Sequence, residues 1–170
     1  MIAVLILLFI EILIVILLYK LYEIFHSLLY RSKINCLLES IDSREDLLYM
    51  RTRDYQNVIA EVFRRKGNKV ETTDKCGEYG NGLLINDIKY IEIWKHGLNH
   101  IVDVEAGKKL AHHMQINSIY RGILVTLGDY KQNTKKFCHT NVIECIDGEQ
   151  LIKMCKEVQK RREVLKLTSD

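Results

Sequence analysis

The sequence contains no proline, no CxxC pair of cysteines and no glycine- or serine-rich linker. The lack of proline excludes collagen-like chains and proline-rich linkers or ligands. There are five cysteines, an odd number that cannot pair completely, and their spacing is not that of a metal site. They therefore indicate free thiols in a reducing compartment. The phosphate-binding GxxxxGKS/T, hydrolase GxSxG and zinc-binding HExxH motifs are also absent, which removes the usual signatures of those enzyme classes.

The apolar residues are concentrated at the N-terminus. Of residues 1–19, 18 are hydrophobic and Glu11 is the exception. A helix over residues 2–19 is about 27 Å long, close to the thickness of a bilayer core. No basic stretch precedes this run and no small-residue cleavage site follows it, which argues against a signal peptide. We therefore expect an uncleaved transmembrane helix over residues 1–25, with a buried core helix as the alternative.

The charges near this helix predict its orientation. Basic side chains follow the apolar run, at Lys20, Arg31, Lys33 and Arg44, and none precedes it. The positive-inside rule then places the rest of the chain in the cytoplasm of a single-pass cell-membrane protein. Glu11 lies at mid-membrane, where a carboxyl group needs a proton or a partner helix. We expect it to assist homo-oligomerisation, and a proton or ion path is the alternative.

The remaining sequence predicts an amphipathic helical connector over residues 26–50, with a break near Asp42-Ser43, and a domain over residues 51–165. The apolar spacing predicts these elements: a helix from about residue 52 to Gly67, strands at 69–73, 83–85 and 90–94, a helix at 101–116, a strand at 121–126, a helix at 129–139, a strand at 141–146, and a final helix from Leu151. This α-β-β-β-α-β-α-β-α order is typical of a three-layer α/β fold with a mixed central sheet.

Four stretches of this domain carry a family resemblance. They are RDYQNVIAEVFRRKGNKVE (53–71), CGEYGNG (76–82), IEIWKH (91–96) and RGILVTLGDYKQNTKKFCHTNVIECIDGEQL (121–151). Together they resemble the Mrr-type restriction endonuclease domain, a branch of the PD-(D/E)XK nucleases, over about residues 52–155. The resemblance implies the restriction-endonuclease-like fold, duplex DNA as ligand and Mg²⁺-dependent phosphodiester cleavage.

The departures from the family pattern fall where catalysis would occur. The family's metal-binding Asp corresponds to Gly82 and its Lys to Trp94, while Glu92 keeps the middle carboxylate. A helix position that is often Glu is Gln56. Two carboxylates are needed to hold Mg²⁺, and the Lys positions the attacking water. The resemblance therefore implies a site impaired in catalysis.

Neighbouring residues offer substitutes for the missing groups. Glu78 lies in the glycine-rich turn and is the candidate second metal ligand beside Glu92. Lys95 is the candidate cation, but strand alternation directs it away from Glu92 unless a bulge intervenes. The candidate catalytic set is thus Glu92, Glu78, Lys95 and Gln56, and the candidate DNA-binding residues are Lys108, Lys109, Lys131, Lys135 and Lys136. His96 and His100 are four residues apart, but the segment that contains them includes Gly97 and is a predicted loop, so we expect solvated or hydrogen-bonded histidines rather than a metal site.

Three functions remain open from the sequence. The first is a membrane-anchored cytoplasmic DNA-binding protein that is impaired in catalysis and needs no cofactor. The second is an active Mg²⁺-dependent endonuclease. The third is a membrane-tethered protein-interaction module on a nuclease fold.

Overall fold

The computed structural model describes residues 2–77 and 82–167, with the side chains of residues 9–77 and 82–161. The chain divides into two compact units, residues 1–36 and residues 37–170. The first unit consists of most of helix α1, which runs from Ile2 to Ser40. From Phe9 onward α1 is long and apolar enough to cross a membrane, with a mean hydropathy of 1.9, and its apolar window is not buried.

The second unit contains the remaining elements. They are α2 (Arg44–Tyr49), α3 (Thr52–Arg65), β1 (Val70–Thr73), β2 (Gly82–Ile85), β3 (Lys89–Trp94), β4 (Ile101–Val102), α4 (Val104–Ile116), β5 (Arg121–Thr126), β6 (Asp129–Tyr130), α5 (Gln132–Thr140), β7 (Ile143–Ile146) and α6 (Gly148–Leu167). A five-stranded sheet has the order β1-β2-β3-β5-β7, and a small sheet pairs β4 with β6. Strands β1, β2 and β3 pair antiparallel, whereas β3, β5 and β7 pair parallel.

Helices cover both faces of the large sheet. Helices α3 and α6 contact each other on one face, and α4 and α5 pack together on the other. Apolar side chains fill the space between the layers and are fully buried, as at Ile59, Leu83, Ile91, Leu124 and Leu151. The architecture confirms the predicted three-layer α/β fold with a mixed sheet.

Local sequence explains the connections between the first strands. Gly67 ends α3 with a φ of +90°, a conformation that only glycine adopts without strain. Asn86 and Asp87 have φ values of +50° and +61° in the tight turn between β2 and β3. Asparagine and aspartate tolerate this left-handed backbone, so the hairpin forms where the sequence predicts it.

Two predicted helices begin later than expected. The stretch 101–116 was expected to be helical throughout, but Ile101 and Val102 form β4, and α4 begins at Val104. The stretch 129–139 likewise begins with β6 before α5. Each strand has only two residues, which is too short for a periodic pattern. Asp103 marks the true start of α4, because its carboxylate accepts the backbone N–H of Val104 at 2.6 Å.

The last residues of α1 and those that follow it contribute to the core of the second unit. Leu38, Ile41 and Leu47 are almost fully buried. Gln159 of α6 donates hydrogen bonds from Nε2 to the carbonyl oxygens of Leu38 (2.6 Å) and Ile41 (2.9 Å). The helical break near Asp42 and Ser43 is present, since α1 ends at Ser40 and α2 starts at Arg44 with Ser43 as its N-cap.

The parallel strands give the sheet two distinct edges. We call the edge where β3, β5 and β7 begin, at Lys89, Arg121 and Ile143, the strand-start edge. The opposite edge, where these strands end, is the strand-end edge. In α/β sheets ligands bind beyond the carboxyl ends of parallel strands, so the strand-end edge is the expected place for a functional site.

Candidate active site

Glu92 and Trp94 lie on the same face of β3 toward the strand-end edge. They are two residues apart, and alternate side chains of a strand point to the same face. Glu92 is 1% exposed. The indole Nε1 of Trp94 donates a hydrogen bond of 2.9 Å to Oε1 of Glu92. One oxygen of the retained carboxylate is therefore already held by a donor from the chain itself.

Helix α4 supplies further neighbours of this carboxylate. Nδ1 of His113 is 3.5 Å from Oε2 of Glu92. Neither of these buried atoms has a hydrogen-bond partner in the described part of the chain. Lys109, one helical turn before His113, places its Nζ 5.6 Å from the centroid of the Trp94 ring. Burial raises the pKa of Glu92, and the Trp94 hydrogen bond and the nearby His113 offset the rise only in part.

The space beside Gly82 is filled. A Cβ built on Gly82 would overlap Sγ of Cys76 and would lie 2.5 Å from the Cys76 carbonyl oxygen. Cys76 is itself buried, and this burial raises the pKa of its thiol to about 12. A side chain at position 82 would have to displace backbone of the preceding turn, so the structure leaves no room there for the carboxylate that the resemblance leads one to expect.

Gln56 approaches the same turn from α3. Its Nε2 donates a hydrogen bond of 3.5 Å to the carbonyl oxygen of Gly82. Glu78, the predicted second metal ligand, lies outside the described residues, and its role stays a prediction. Among the residues that the structure does describe, no group of three or more His, Cys, Asp or Glu side chains is arranged to hold a metal ion.

Lys95 is directed away from Glu92, as strand alternation predicts. Its Nζ donates a hydrogen bond to the carbonyl oxygen of Met50 and lies 5.6 Å from the ring centroid of Tyr55. Burial lowers the pKa of Lys95. The residue thus connects the end of β3 to the segment between α2 and α3, and the structure does not bring it to the Glu92 carboxylate.

The two loop histidines extend the aromatic surface beyond Trp94. The ring centroids of Trp94 and His96 are 5.5 Å apart, and those of His96 and His100 are 4.6 Å apart. The two histidine rings therefore contact each other. They form a row of tilted rings that starts at Trp94 in the candidate site.

The candidate DNA-binding lysines lie on α4, α5 and the residue before α5. Lys131, Lys135 and Lys108 form exposed ion pairs, with Asp103 (2.7 Å), Asp129 (2.9 Å) and Glu105 (2.7 Å), respectively. Lys136 is exposed on α5, and Lys109 contacts Trp94 as described above. Exposed ion pairs contribute about 0–1 kcal/mol, so a phosphate can replace the carboxylate at little cost. The first halves of α4 and α5, which follow the ends of β3 and β5, bring these cations to the strand-end side of the sheet.

The approach of α4 to Glu92 was not predicted. The sequence offered Lys109 only as a DNA contact and assigned no role to His113. A weak signal exists, because Lys109 and His113 are four residues apart and share one helix face beside the buried residues Leu110 and Met114. That spacing predicts a common face, but not which strand residue the face meets.

Comparisons with known proteins agree with this fold. The family model Mrr_cat, described as restriction endonuclease, matches residues 47–155. The chain belongs to the Mrr restriction endonuclease family. No curated protein matches it. Among solved structures, it is similar in fold to the "DNA modification-dependent restriction endonuclease AspBHI", with a TM-score of 0.51 and 12% identity. The match covers 81% of this chain and 40% of that enzyme, so the chain spans well under half of its length.

The described residues of this Mrr-family chain do not fit the family's metal. Mg²⁺ needs several oxygen ligands in octahedral geometry, and Oε1 of Glu92 already accepts the 2.9 Å indole N–H bond, which leaves Oε2 as the single oxygen of this carboxylate without a donor. Among the described residues Glu92 belongs to no group of three or more His, Cys, Asp or Glu side chains that could hold a metal ion, and its neighbours include the imidazole of His113 and the ammonium group of Lys109. We derive no catalytic step through a metal.

Proposed function

We propose that this chain is a membrane-anchored, DNA-binding member of the Mrr family that does not cleave DNA by the metal mechanism. The observation that carries the proposal is the Trp94 indole bonded to Glu92, where the resemblance expects a Lys beside a metal-bound carboxylate. The filled space at Gly82 supports the same conclusion. The nuclease fold is retained while its metal-binding chemistry is replaced.

The case for DNA binding rests on family membership and on the position of the basic residues. Lys131, Lys135 and Lys136 lie around the start of α5, and Lys108 and Lys109 lie in the first half of α4. These residues are on the strand-end side, where the restriction-endonuclease fold carries its site. We propose that they contact phosphates of a duplex, because this electrostatic contribution does not depend on a catalytic metal.

The case for a membrane anchor rests on α1. Its apolar window is long enough to span a bilayer, and basic residues follow it in the sequence. We propose a single span with the Mrr domain on the cytoplasmic side. Cys36 is the exposed cysteine of the described chain, so it reports the orientation. A membrane-impermeant maleimide should label Cys36 only after cells are opened, and labelling of intact cells would contradict the proposed orientation.

DNA binding is tested with the full chain in lipid nanodiscs. If the five lysines each displace one counterion, the logarithm of affinity for a duplex should fall with the logarithm of salt with a slope of about −4 to −5. Replacing Lys135 and Lys136 by Ala should make the slope shallower by about 2. Lys153→Ala, on exposed α6, is the matched control and should change neither slope nor affinity. Absent or salt-independent binding would overturn the DNA-binding proposal.

Cleavage is tested with the same preparation and supercoiled plasmid. We expect no nicking with Mg²⁺ or Mn²⁺. Metal-dependent nicking that disappears in Glu92→Gln would instead establish an active endonuclease, with Glu78 as the next residue to replace. The two tests are independent, so loss of either conclusion leaves the other standing.

A further inference from the structure

The strand-start edge exposes apolar side chains that the proposed DNA contact does not use. Ile88, Tyr120 and Val142 directly precede β3, β5 and β7, and they are 54%, 81% and 58% exposed. The three strands are neighbours in the sheet, where adjacent strands are about 4.8 Å apart. We call these three residues the strand-start patch. Ile116, 65% exposed, ends α4 at the same edge.

Val142 has a backbone conformation that is unfavourable for its residue type. Its φ is +57°, in the left-handed region that β-branched residues rarely adopt. The backbone here is engaged, because Val142 donates to His139 and accepts from Gly122. This turn favours glycine or asparagine, yet it carries an exposed valine. A contact outside the described chain would account for that side chain.

Basic residues accompany the strand-start patch. Lys89 and Arg121 begin β3 and β5, directly after Ile88 and Tyr120, and no salt bridge links either of them to a carboxylate in the described chain. Two nearby acidic residues, Glu71 of β1 and Asp87 of the β2–β3 turn, both pair with Lys69. The Nζ of Lys69 lies 2.9 Å from the Glu71 carboxylate and 3.3 Å from that of Asp87. Exposed Tyr, Ile and Val beside unpaired Lys and Arg is the composition that favours the interface of an anionic bilayer.

The chain also enters the domain at this edge. Glu39 forms a 2.7 Å ion pair with Arg65, at the end of α3. The neighbouring Arg64 donates a hydrogen bond of 3.1 Å to the carbonyl oxygen of Val70, the first residue of β1. Glu39 therefore lies at the strand-start edge, and only nine residues separate it in sequence from Leu29, in the apolar part of α1.

From these observations we propose that the strand-start patch docks on the surface of the anionic bilayer that holds α1, leaving the strand-end edge open to DNA. The inference rests on the proposed membrane anchor. Because the tether is short, the local concentration of lipid is high, and a weak contact by a few side chains is sufficient.

A second copy of the chain is a poorer occupant. A stable protein interface uses about 20–30 residues from each partner, far more than this patch offers. A two-fold contact would also bring Lys89 and Arg121 of both copies together, and like charges across an interface are unfavourable. Duplex DNA gains little from apolar side chains, so the lipid surface is the partner that fits both the apolar and the basic groups.

The test uses the full chain in nanodiscs of phosphatidylcholine with a minority of phosphatidylserine, with and without brominated acyl chains that quench indole emission by contact. Tyr120→Trp introduces a reporter in the patch, and Ile88→Trp is a second reporter at the same edge. Tyr49→Trp is the matched control, because Tyr49 is an equally exposed tyrosine (84%) in α2. The wild-type chain supplies the Trp94 background.

We expect brominated lipid to quench the added emission of Tyr120→Trp and Ile88→Trp, but not that of Tyr49→Trp. Equal quenching in all three, or in none, would overturn the inference. If the patch reporters became shielded from solvent in detergent as the protein concentration increased, the inference would be overturned in favour of a second copy of the chain. Extraction of the chain from membranes by alkaline carbonate would instead refute the membrane anchor. Failure of the docking proposal and failure of the anchor proposal are therefore distinguishable.

Discussion

The Trp94–Glu92 hydrogen bond can be measured through the substitution Trp94→Phe. Phenylalanine keeps an aromatic ring near Lys109 but removes the N–H that donates to Glu92 Oε1. A hydrogen bond to a charged group contributes about 1.5–3 kcal/mol, and losing it leaves a buried acceptor unsatisfied. For a domain of this size, 1 kcal/mol corresponds to about 3–5 °C in Tm, so we expect Tm to fall by about 5–15 °C.

A double-mutant cycle separates this bond from lost indole packing. Glu92→Leu removes the acceptor, and combining it with Trp94→Phe removes both partners. Calorimetry of the full chain in nanodiscs should show that the double variant is less destabilised than the sum of the single variants, by about 1.5–3 kcal/mol. Additive changes would refute the reasoning, because they would mean that Trp94 contributes only packing and leaves Glu92 available.

Three further predictions concern neighbouring features of the domain. Gly82→Asp should not restore cleavage and should lower the free energy of unfolding by about 1–3 kcal/mol. Gly82→Ala should lower it nearly as much, because the clash with Cys76 begins at Cβ. A Gly82→Ala variant with unchanged thermal unfolding would contradict this prediction. Burial raises the pKa of folded Glu92 above its unfolded value, so the wild type loses stability as pH rises through and above the ordinary carboxyl range. The Tm of Glu92→Gln relative to that of the wild type should therefore rise from acidic to neutral pH. A Tm difference that stays constant over this range would contradict the prediction. Leu38→Ala should lower the free energy of unfolding by about 2–5 kcal/mol, because Leu38 is fully buried. Leu37 is partly exposed, so Leu37→Ala should lower it clearly less. Equal losses would show that Leu38 does not contribute to the core.

Much of the fold could be predicted from the sequence, because its elements have strong local signals. The apolar stripe of α3, the turn at Asn86-Asp87 and the buried run of β5 each follow from short-range patterns. Alternation along β3 also predicts that Glu92 and Trp94 share a face and that Lys95 does not. The two-residue strands β4 and β6 have no such signal, so their residues were assigned to helices.

The surroundings of Glu92 depended on tertiary contacts that spacing does not encode. That His113 meets Glu92 is decided by how α4 packs on β3, and that Cys76 fills the space at Gly82 is decided by the path of a turn. The burial of Leu38 and Ile41 likewise needs the partner helix α6, which lies more than 100 residues later in the sequence. The roles proposed for Gln56 and the five lysines await the experiments above.

The central claim is that Trp94 holds Glu92 where the family would bind a metal, and the chain offers a direct probe of it. Trp94 is the single tryptophan of the sequence, so intrinsic fluorescence reports on this site alone. Mg²⁺ bound to Glu92 would draw charge from the carboxylate that the indole N–H is bonded to, and would therefore change the emission of Trp94. Titrating Mg²⁺ at constant ionic strength into the full chain saturated with duplex DNA should leave the Trp94 emission unchanged. A saturable change that is lost in Glu92→Gln would contradict the claim.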